Sequence, residues 1–413
     1  MAVLDQVTSQ EAIELENKYG AHNYHPLPVV LSRGEGVHVW DVEGKQYYDF
    51  LSAYSAVNQG HCHPKIVAAM TAQAQTLTLT SRAFYNDMLG KYEKFASELF
   101  NFDKLLPMNT GAEAVETALK LCRKWAYEVK GIDENEAEIV VCENNFHGRT
   151  TTIISFSNDP VARKNFGPYT NGFIKIEYNN LDALEQTLQN NANVAGFLVE
   201  PIQGEAGVYV PSEGYLSKAK AICEKYNVLF IADEVQTGIA RTGKMLAVDH
   251  ENVKPDILIL GKALSGGAYP VSAVLANDPI MNVIKPGNHG STFGGNPIAA
   301  AVAIAALNVV KDEDLANNAE ELGQLFRSEL SKFIEASPIV SAVRGKGLLN
   351  AILINDTEDS DTAWNICLKL RDHGLLAKPT HGNIIRFAPP LVMTKEQLLD
   401  CISIIIKTLK EFE

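Results

Sequence analysis

Two stretches place reactive side chains at the ends of apolar runs. Residues 228–232 (VLFIA) lead directly into Asp233 and Glu234, and residues 257–260 (ILIL) lead into Gly261 and Lys262. Both runs lack polar alternation and have the length of a strand buried on both faces. Open α/β sheets bind ligands at the carboxyl ends of their strands, so this carboxylate and amine are expected to face one crevice. A carboxylate can keep a ring nitrogen protonated, and an amine with a pKa lowered by burial can capture an aldehyde. Pyridoxal phosphate presents both groups. Each residue also has a plainer reading, Lys262 as a surface lysine opening a loop and Asp233 as a cap or strand-end carboxylate.

Asn109-Thr110-Gly111-Ala112-Glu113-Ala114 opens a strongly helical segment. Asn109 or Thr110 can cap it, and the free amides of the first turn offer a phosphate site equivalent to roughly +0.5 charge. Taken alone, the motif is better explained by capping without a ligand. Arg149 follows the apolar run 139–142, and Arg386 sits among apolar neighbours in 384–387. A buried arginine is costly unless an anion faces it, so two of them suggest a dicarboxylate; a structural ion pair is the alternative for each. Phe146 could cover an aromatic ring or simply belong to the core. Two other patterns are rejected. Residues 238–244 satisfy G-x-x-x-x-G-K, but Met245 stands where a P-loop needs Ser or Thr, and the loop's role stays unassigned. His61-Cys62-His63 lacks the partner cluster a zinc site requires.

These groups need a scaffold. Apolar runs at 139–142, 152–155, 173–176, 194–199, 228–232 and 257–260 alternate with helical spacing, which predicts crossover connections and a mostly parallel sheet. Before it, a capped helix to about Tyr19, an extended Pro-containing segment and a small meander (29–31, 36–41, 46–50) form a β-rich lobe. After it, an Ala-rich helix at 298–310 and another at 314–336 lead into an α+β segment, 339–413. The expected organisation is a large domain at 51–304 and a smaller one from 1–50 with 305–413.

The net charge of −14 argues against nucleic acid and anionic membrane surfaces, which select basic patches. No apolar run approaches the ~20 residues that span a bilayer. Six scattered cysteines without a C-x-x-C pair read as free thiols in a reducing compartment, and the acidic N-terminus lacks a targeting pattern, so a cytoplasmic location is expected.

Together the motifs resemble the class III aminotransferases of the pyridoxal-phosphate fold type I superfamily, along essentially the whole chain. The markers are Asn109-Thr110-Gly111-Ala112-Glu113-Ala114, Asn145-Phe146-His147-Gly148-Arg149-Thr150, Glu200-Pro201-Ile202-Gln203-Gly204-Glu205, Asp233-Glu234-Val235-Gln236-Thr237-Gly238 and Gly261-Lys262. Residues 20–28, 55–61 and 378–382 resemble the branch of the class that uses ornithine. The resemblance implies an α/β fold with a seven-stranded, mostly parallel sheet. It implies Lys262 as the cofactor-capturing lysine and proton carrier, Asp233 on the ring nitrogen, Phe146 on the ring face and Gln236 on the phenolic oxygen. Gly111 and Ala112 would hold the phosphate with Thr292 of a second subunit, hence a homodimer. Tyr24 and Arg149 would bind the α-groups of L-ornithine, and Arg386 would bind 2-oxoglutarate. Glu205 would mask Arg386 in the first half-reaction, with Tyr54 lining the same pocket. His147 stands where some animal members have Trp. Acetylornithine or 4-aminobutyrate are alternative amino donors; an aminomutase and a cofactor-binding regulator are the rivals of other kinds.

Overall fold

Short apolar runs bounded by turns form strands covered on both faces. In the computed structural model, which describes residues 7–413, every residue of Val194–Val199, Leu229–Asp233, Ile257–Leu260 and Ser272–Ala276 is buried. In chain order the strands are β1 (Leu31–Glu35), β2 (His38–Asp41), β3 (Gln46–Asp49), β4 (Lys104–Met108), β5 (Glu138–Cys142), β6 (Phe173–Ile176), β7 (Val194–Val199) and β8 (Leu229–Asp233). There follow β9 (Ile257–Leu260), β10 (Ser272–Ala276), β11 (Val340–Lys346), β12 (Leu349–Ile354), β13 (Leu375–Leu376), β14 (Lys378–Thr380) and β15 (Ile384–Phe387).

The central sheet has seven strands in the order β4-β10-β9-β8-β7-β5-β6. From β9 to β6 all pairs are parallel, whereas β10 runs antiparallel to both β9 and β4. The expected mostly parallel seven-stranded sheet is what the chain forms. Because β8 and β9 are parallel neighbours, with Asp233 opposite Ile259, their carboxyl ends emerge side by side. That adjacency is what brings Asp233 and Lys262 to one crevice.

The strand expected at 152–155 is instead the helix Thr151–Ser155. Thr150 caps it by accepting a hydrogen bond from the Ile153 amide, so a local side-chain bond overrides the β-branched composition. Its place in the sheet is filled by β4 and β10, which periodicity did not single out. The first meander strand lies at Leu31–Glu35 rather than 29–31.

A four-stranded sheet, β1-β2-β3-β13, joins the two ends of the chain, since β13 pairs in parallel with β3 through Leu375 and Tyr48. The second four-stranded sheet, β11-β12-β15-β14, presents Arg386 from β15. The rejected P-loop pattern turns out to be a junction. Arg241 is completely buried; its guanidinium donates to the carbonyls of Leu348 (2.9 Å) and Pro389 (2.7 Å) and to Asn58 Oδ1 (2.6 Å). It therefore ties the end of β8 to the C-terminal segment. Of the two rejected metal-ligand candidates, His61 bonds Asp49 at 2.8 Å and His63 bonds Glu313 at 3.1 Å. Five of the six free cysteines are buried and Cys62 is exposed. Among the described residues no helix is long and apolar enough to cross a membrane.

Candidate active site

The ends of β8 and β9 and the start of the helix Gly111–Trp125 line one cavity, which contains Gly111, Ala112, Phe146, Asp233, Gln236 and Lys262. A reciprocal capping box sets the helix: Thr110 accepts from the Glu113 amide, and the Glu113 carboxylate takes the Thr110 amide in return. The amides of Gly111 and Ala112 are thus left at the open, positive end of the helix. Gly111 is also where the helix meets the strand end, because a Cβ there would fall 2.9 Å from Val235 Cγ1. Lys262 sits at φ 44°, a left-handed conformation unusual for lysine, which turns its side chain off the end of β9. Burial lowers its pKa, opposed by the charges of Glu205 and Asp233, so the amine is biased toward its nucleophilic form.

Asp233 is buried, with Oδ1 accepting the Val235 amide at 3.0 Å and Oδ2 facing His147 Nδ1 at 2.6 Å. His147 is itself buried; burial opposes its protonation, but the Asp233 bond and charge outweigh it and raise its pKa. The Glu200 carboxylate accepts the Phe146 amide at 3.0 Å, and burial pushes its carboxyl up to about 7. Neither His147 nor Glu200 was assigned a role from sequence; both lie inside motifs quoted for the resemblance, but burial and partners are tertiary properties. Phe146 is half-exposed on the cavity wall.

At the other side of Lys262, Arg386 Nη1 bonds Glu205 Oε1 at 2.7 Å. Burial opposes ionisation of Glu205, yet the Arg386 and Lys262 charges hold its pKa below the usual range. The same Oε1 accepts Gln236 Nε2 at 3.0 Å. Above the pair, the Arg386 guanidinium lies 5.1 Å from the Tyr54 ring centroid. Tyr54 is delivered by a left-handed turn: Ser52, Ala53, Tyr54 and Ser55 have φ of 48°, 47°, 59° and 72°. Such conformations cost about 1–2 kcal/mol per residue, so something must impose them. Asp49 does so in part, accepting the Leu51 and Ser52 amides through Oδ1 while its Oδ2 is held by His61.

Three expected site residues are not gathered by the same contacts. Arg149 is exposed on the outer rim, 5.9 Å from the Phe146 ring centroid, in a second cavity shared with Glu205 and Thr380. Tyr24 is 70% exposed on the segment that leads from the first helix. Thr292 is exposed in the loop before Pro297–Asp312 and does not line the Lys262 cavity of its own chain.

The residues fit pyridoxal phosphate. A carboxylate and an amine face one cavity, a helix N-terminus offers free amides, and two buried polar atoms, Gln236 Oε1 and His147 Nε2, lack partners in the described residues. Fold and cavity together define a fold type I, pyridoxal-phosphate-dependent transferase. Residues 19–409 match the aminotransferase class-III family, and the chain belongs to it. It is similar to the mitochondrial ornithine aminotransferase of Drosophila melanogaster, 65% identical over 95% of this chain and 90% of the relative. Among solved structures, one from Elizabethkingia anophelis described as acetylornithine aminotransferase is 68% identical, with a TM-score of 0.91 over 98% of this chain and 99% of that one. An ornithine aminotransferase from Toxoplasma gondii, described with partial occupancy of pyridoxal phosphate at its active site, is 50% identical. Its TM-score is 0.97 over 99% of this chain and 95% of that one.

Proposed function

We propose that the enzyme transfers the δ-amino group of L-ornithine to 2-oxoglutarate, giving glutamate 5-semialdehyde, which cyclises to pyrroline-5-carboxylate, and glutamate. The observation that carries this reading is the closed Glu205–Arg386 pair beside Lys262. An arginine that is masked in one half-reaction and open in the other lets one cavity serve an ω-amine and then a dicarboxylate. When bound, pyridoxal phosphate supplies the aldehyde that takes the amine and the ring that accepts electrons. Asp233, braced by His147, would hold the ring nitrogen protonated; Gly111 and Ala112 would hold the phosphate, Phe146 the ring face and Gln236 the phenolic oxygen. Lys262 Nζ would take and return the proton at the reacting carbon. Arg149 and Tyr24 would bind the α-carboxylate and α-amine of ornithine, spending binding energy at the far end to select which amine reacts.

Thr292 would complete the phosphate site of a partner subunit in a homodimer; its exposure supports that placement. Residues 51–304 would form the large domain, and 1–50 with 305–413 the smaller one, with the β3–β13 pairing supporting the union of the two termini. The buried free thiols support a reducing compartment, for which the cytoplasm is the proposal. Recovery of the untagged protein with organelles on cell fractionation would reverse it.

The test mixes the cofactor-loaded protein with ornithine and 2-oxoglutarate and measures pyrroline-5-carboxylate, with Lys262→Ala as control. Absence of product from the unmutated protein refutes the proposal. The second reading, acetylornithine as donor, is favoured by the name given to the Elizabethkingia structure. Ornithine is expected to outpace Nα-acetylornithine, and Tyr24→Ile is expected to slow ornithine far more than 4-aminobutyrate. Equal losses would assign Tyr24 no part in selecting ornithine.

A further inference from the structure

Gln236 has been given one task, at the cofactor, yet its side chain is engaged elsewhere. Its Nε2 donates to Glu205 Oε1 at 3.0 Å, the oxygen that also accepts Arg386 Nη1 at 2.7 Å. Glu205 Oε1 is therefore shared by a cation and an amide. The amide's own Oε1 is buried and without a partner, so within the described residues the only hydrogen bond of this side chain is the one to the lock. The backbone is shaped to allow it. A Cβ on residue 204 would fall 1.4 Å from Gln236 Oε1, so glycine at 204 is what leaves room for the amide to reach Glu205. Gln236 follows directly on Asp233-Glu234-Val235, and the Val235 amide is bonded to Asp233 Oδ1, so its backbone is tied to the strand end that faces the Lys262 cavity. Other bonds to this loop do not involve the Glu205 carboxylate: Thr380 Oγ1 donates to the Glu205 carbonyl at 2.7 Å.

We propose that Gln236 is the third member of the Glu205–Arg386 lock, a positioning residue that holds Glu205 closed and loses its partner when a dicarboxylate draws Glu205 away. This rests on the proposed reading of Arg386 as the dicarboxylate site. Opening the lock then changes the hydrogen bonding of a side chain that lines the Lys262 cavity, so occupancy at Arg386 is transmitted to the cavity. The same bond stabilises the closed state, and its loss favours opening.

The test is a double-mutant cycle on the cofactor-loaded, full-length protein, read by calorimetric titration with glutarate, a dicarboxylate that has no keto group to react. Gln236→Leu is expected to tighten glutarate roughly tenfold, the effect of one hydrogen bond to a charged group. Glu205→Ala tightens it further, and adding Gln236→Leu to Glu205→Ala changes affinity by less than about twofold. Gly204→Ala, which pushes the amide off Glu205 and keeps its chemistry, reproduces the tightening and serves if Gln236→Leu folds poorly. Multiplicative effects in the cycle, with glutarate binding normally to the unmutated protein, overturn this inference and leave the proposed function standing. Unaltered affinity in Gln236→Leu and Gly204→Ala does the same. Failure of the unmutated protein to bind glutarate overturns the dicarboxylate reading of Arg386 and this inference with it.

Discussion

Glu200 is the residue on which burial weighs most plainly. An unfolded chain releases its proton near pH 4.3, whereas in the folded protein the carboxyl titrates at about 7. Between those values the native state binds more protons than the unfolded state, so this group's contribution is intact below pH ~4.3 and is lost as pH rises through 7. The full loss is on the order of 3 kcal/mol. Glu200→Gln removes the titration and keeps an acceptor for the Phe146 amide. Thermal melts of cofactor-free protein at pH 5, 6.5 and 8 should show the variant gaining on the unmutated protein as pH rises. A pH-independent difference would show that Glu200 titrates as an exposed carboxyl. The residue types at the site were readable in combination, since Asp233, Lys262, Gly111 and Arg386 each had a plainer reading alone and only one cofactor chemistry suits them together. His147 and Glu200 were not, since a histidine or glutamate in a loop motif acquires its role only from what it is buried against.

At the scale of elements, the segment 238–244 illustrates how a local pattern misleads. Its glycines resemble a phosphate loop, yet the feature that matters is Arg241, whose four donated bonds reach Asn58, Leu348 and Pro389. Burial lowers even this guanidinium's pKa, to about 9. Removing it leaves three acceptors unpaired in a dry junction, so Arg241→Leu should cost about 3–5 kcal/mol by chemical denaturation. A loss under about 1 kcal/mol would mean that water replaces the guanidinium. The same logic applies to the turn 52–55, where Asp49 and His61 hold a left-handed path that no propensity rule selects. The two long helices expected at 298–310 and 314–336 were readable to within two residues, at Pro297–Asp312 and Leu315–Ile334. The run at 152–155 was not, because a four-residue run with three β-branched side chains fits a strand or a capped turn equally well.

On the scale of the whole molecule, the loop that precedes Pro297–Asp312 bears on assembly. Phe293, beside Thr292, is an apolar side chain left 53% exposed by the described residues. If Thr292 completes a partner's phosphate site, Phe293→Asp should convert dimers to monomers in sedimentation velocity and lower cofactor retention roughly tenfold or more. A variant that stays dimeric with full cofactor binding would detach this loop from the interface.

Periodicity predicted an α/β fold with a mostly parallel sheet, and the motifs, with the family resemblance they carry, pointed to the cofactor and to Asp233 and Lys262 at neighbouring strand ends. Short-range patterns in the chain record strand burial and helix phosphate sites directly, because each depends on residues close in sequence. Tertiary structure alone decided the rest: that β10 enters the sheet antiparallel, that His147 clamps Asp233, and that Gln236 shares Glu205 with Arg386. The last two rest on hydrogen bonds between residues 31 to 181 positions apart. Their energies arise from desolvation and hydrogen-bond geometry, which exist only once the chain has closed around them.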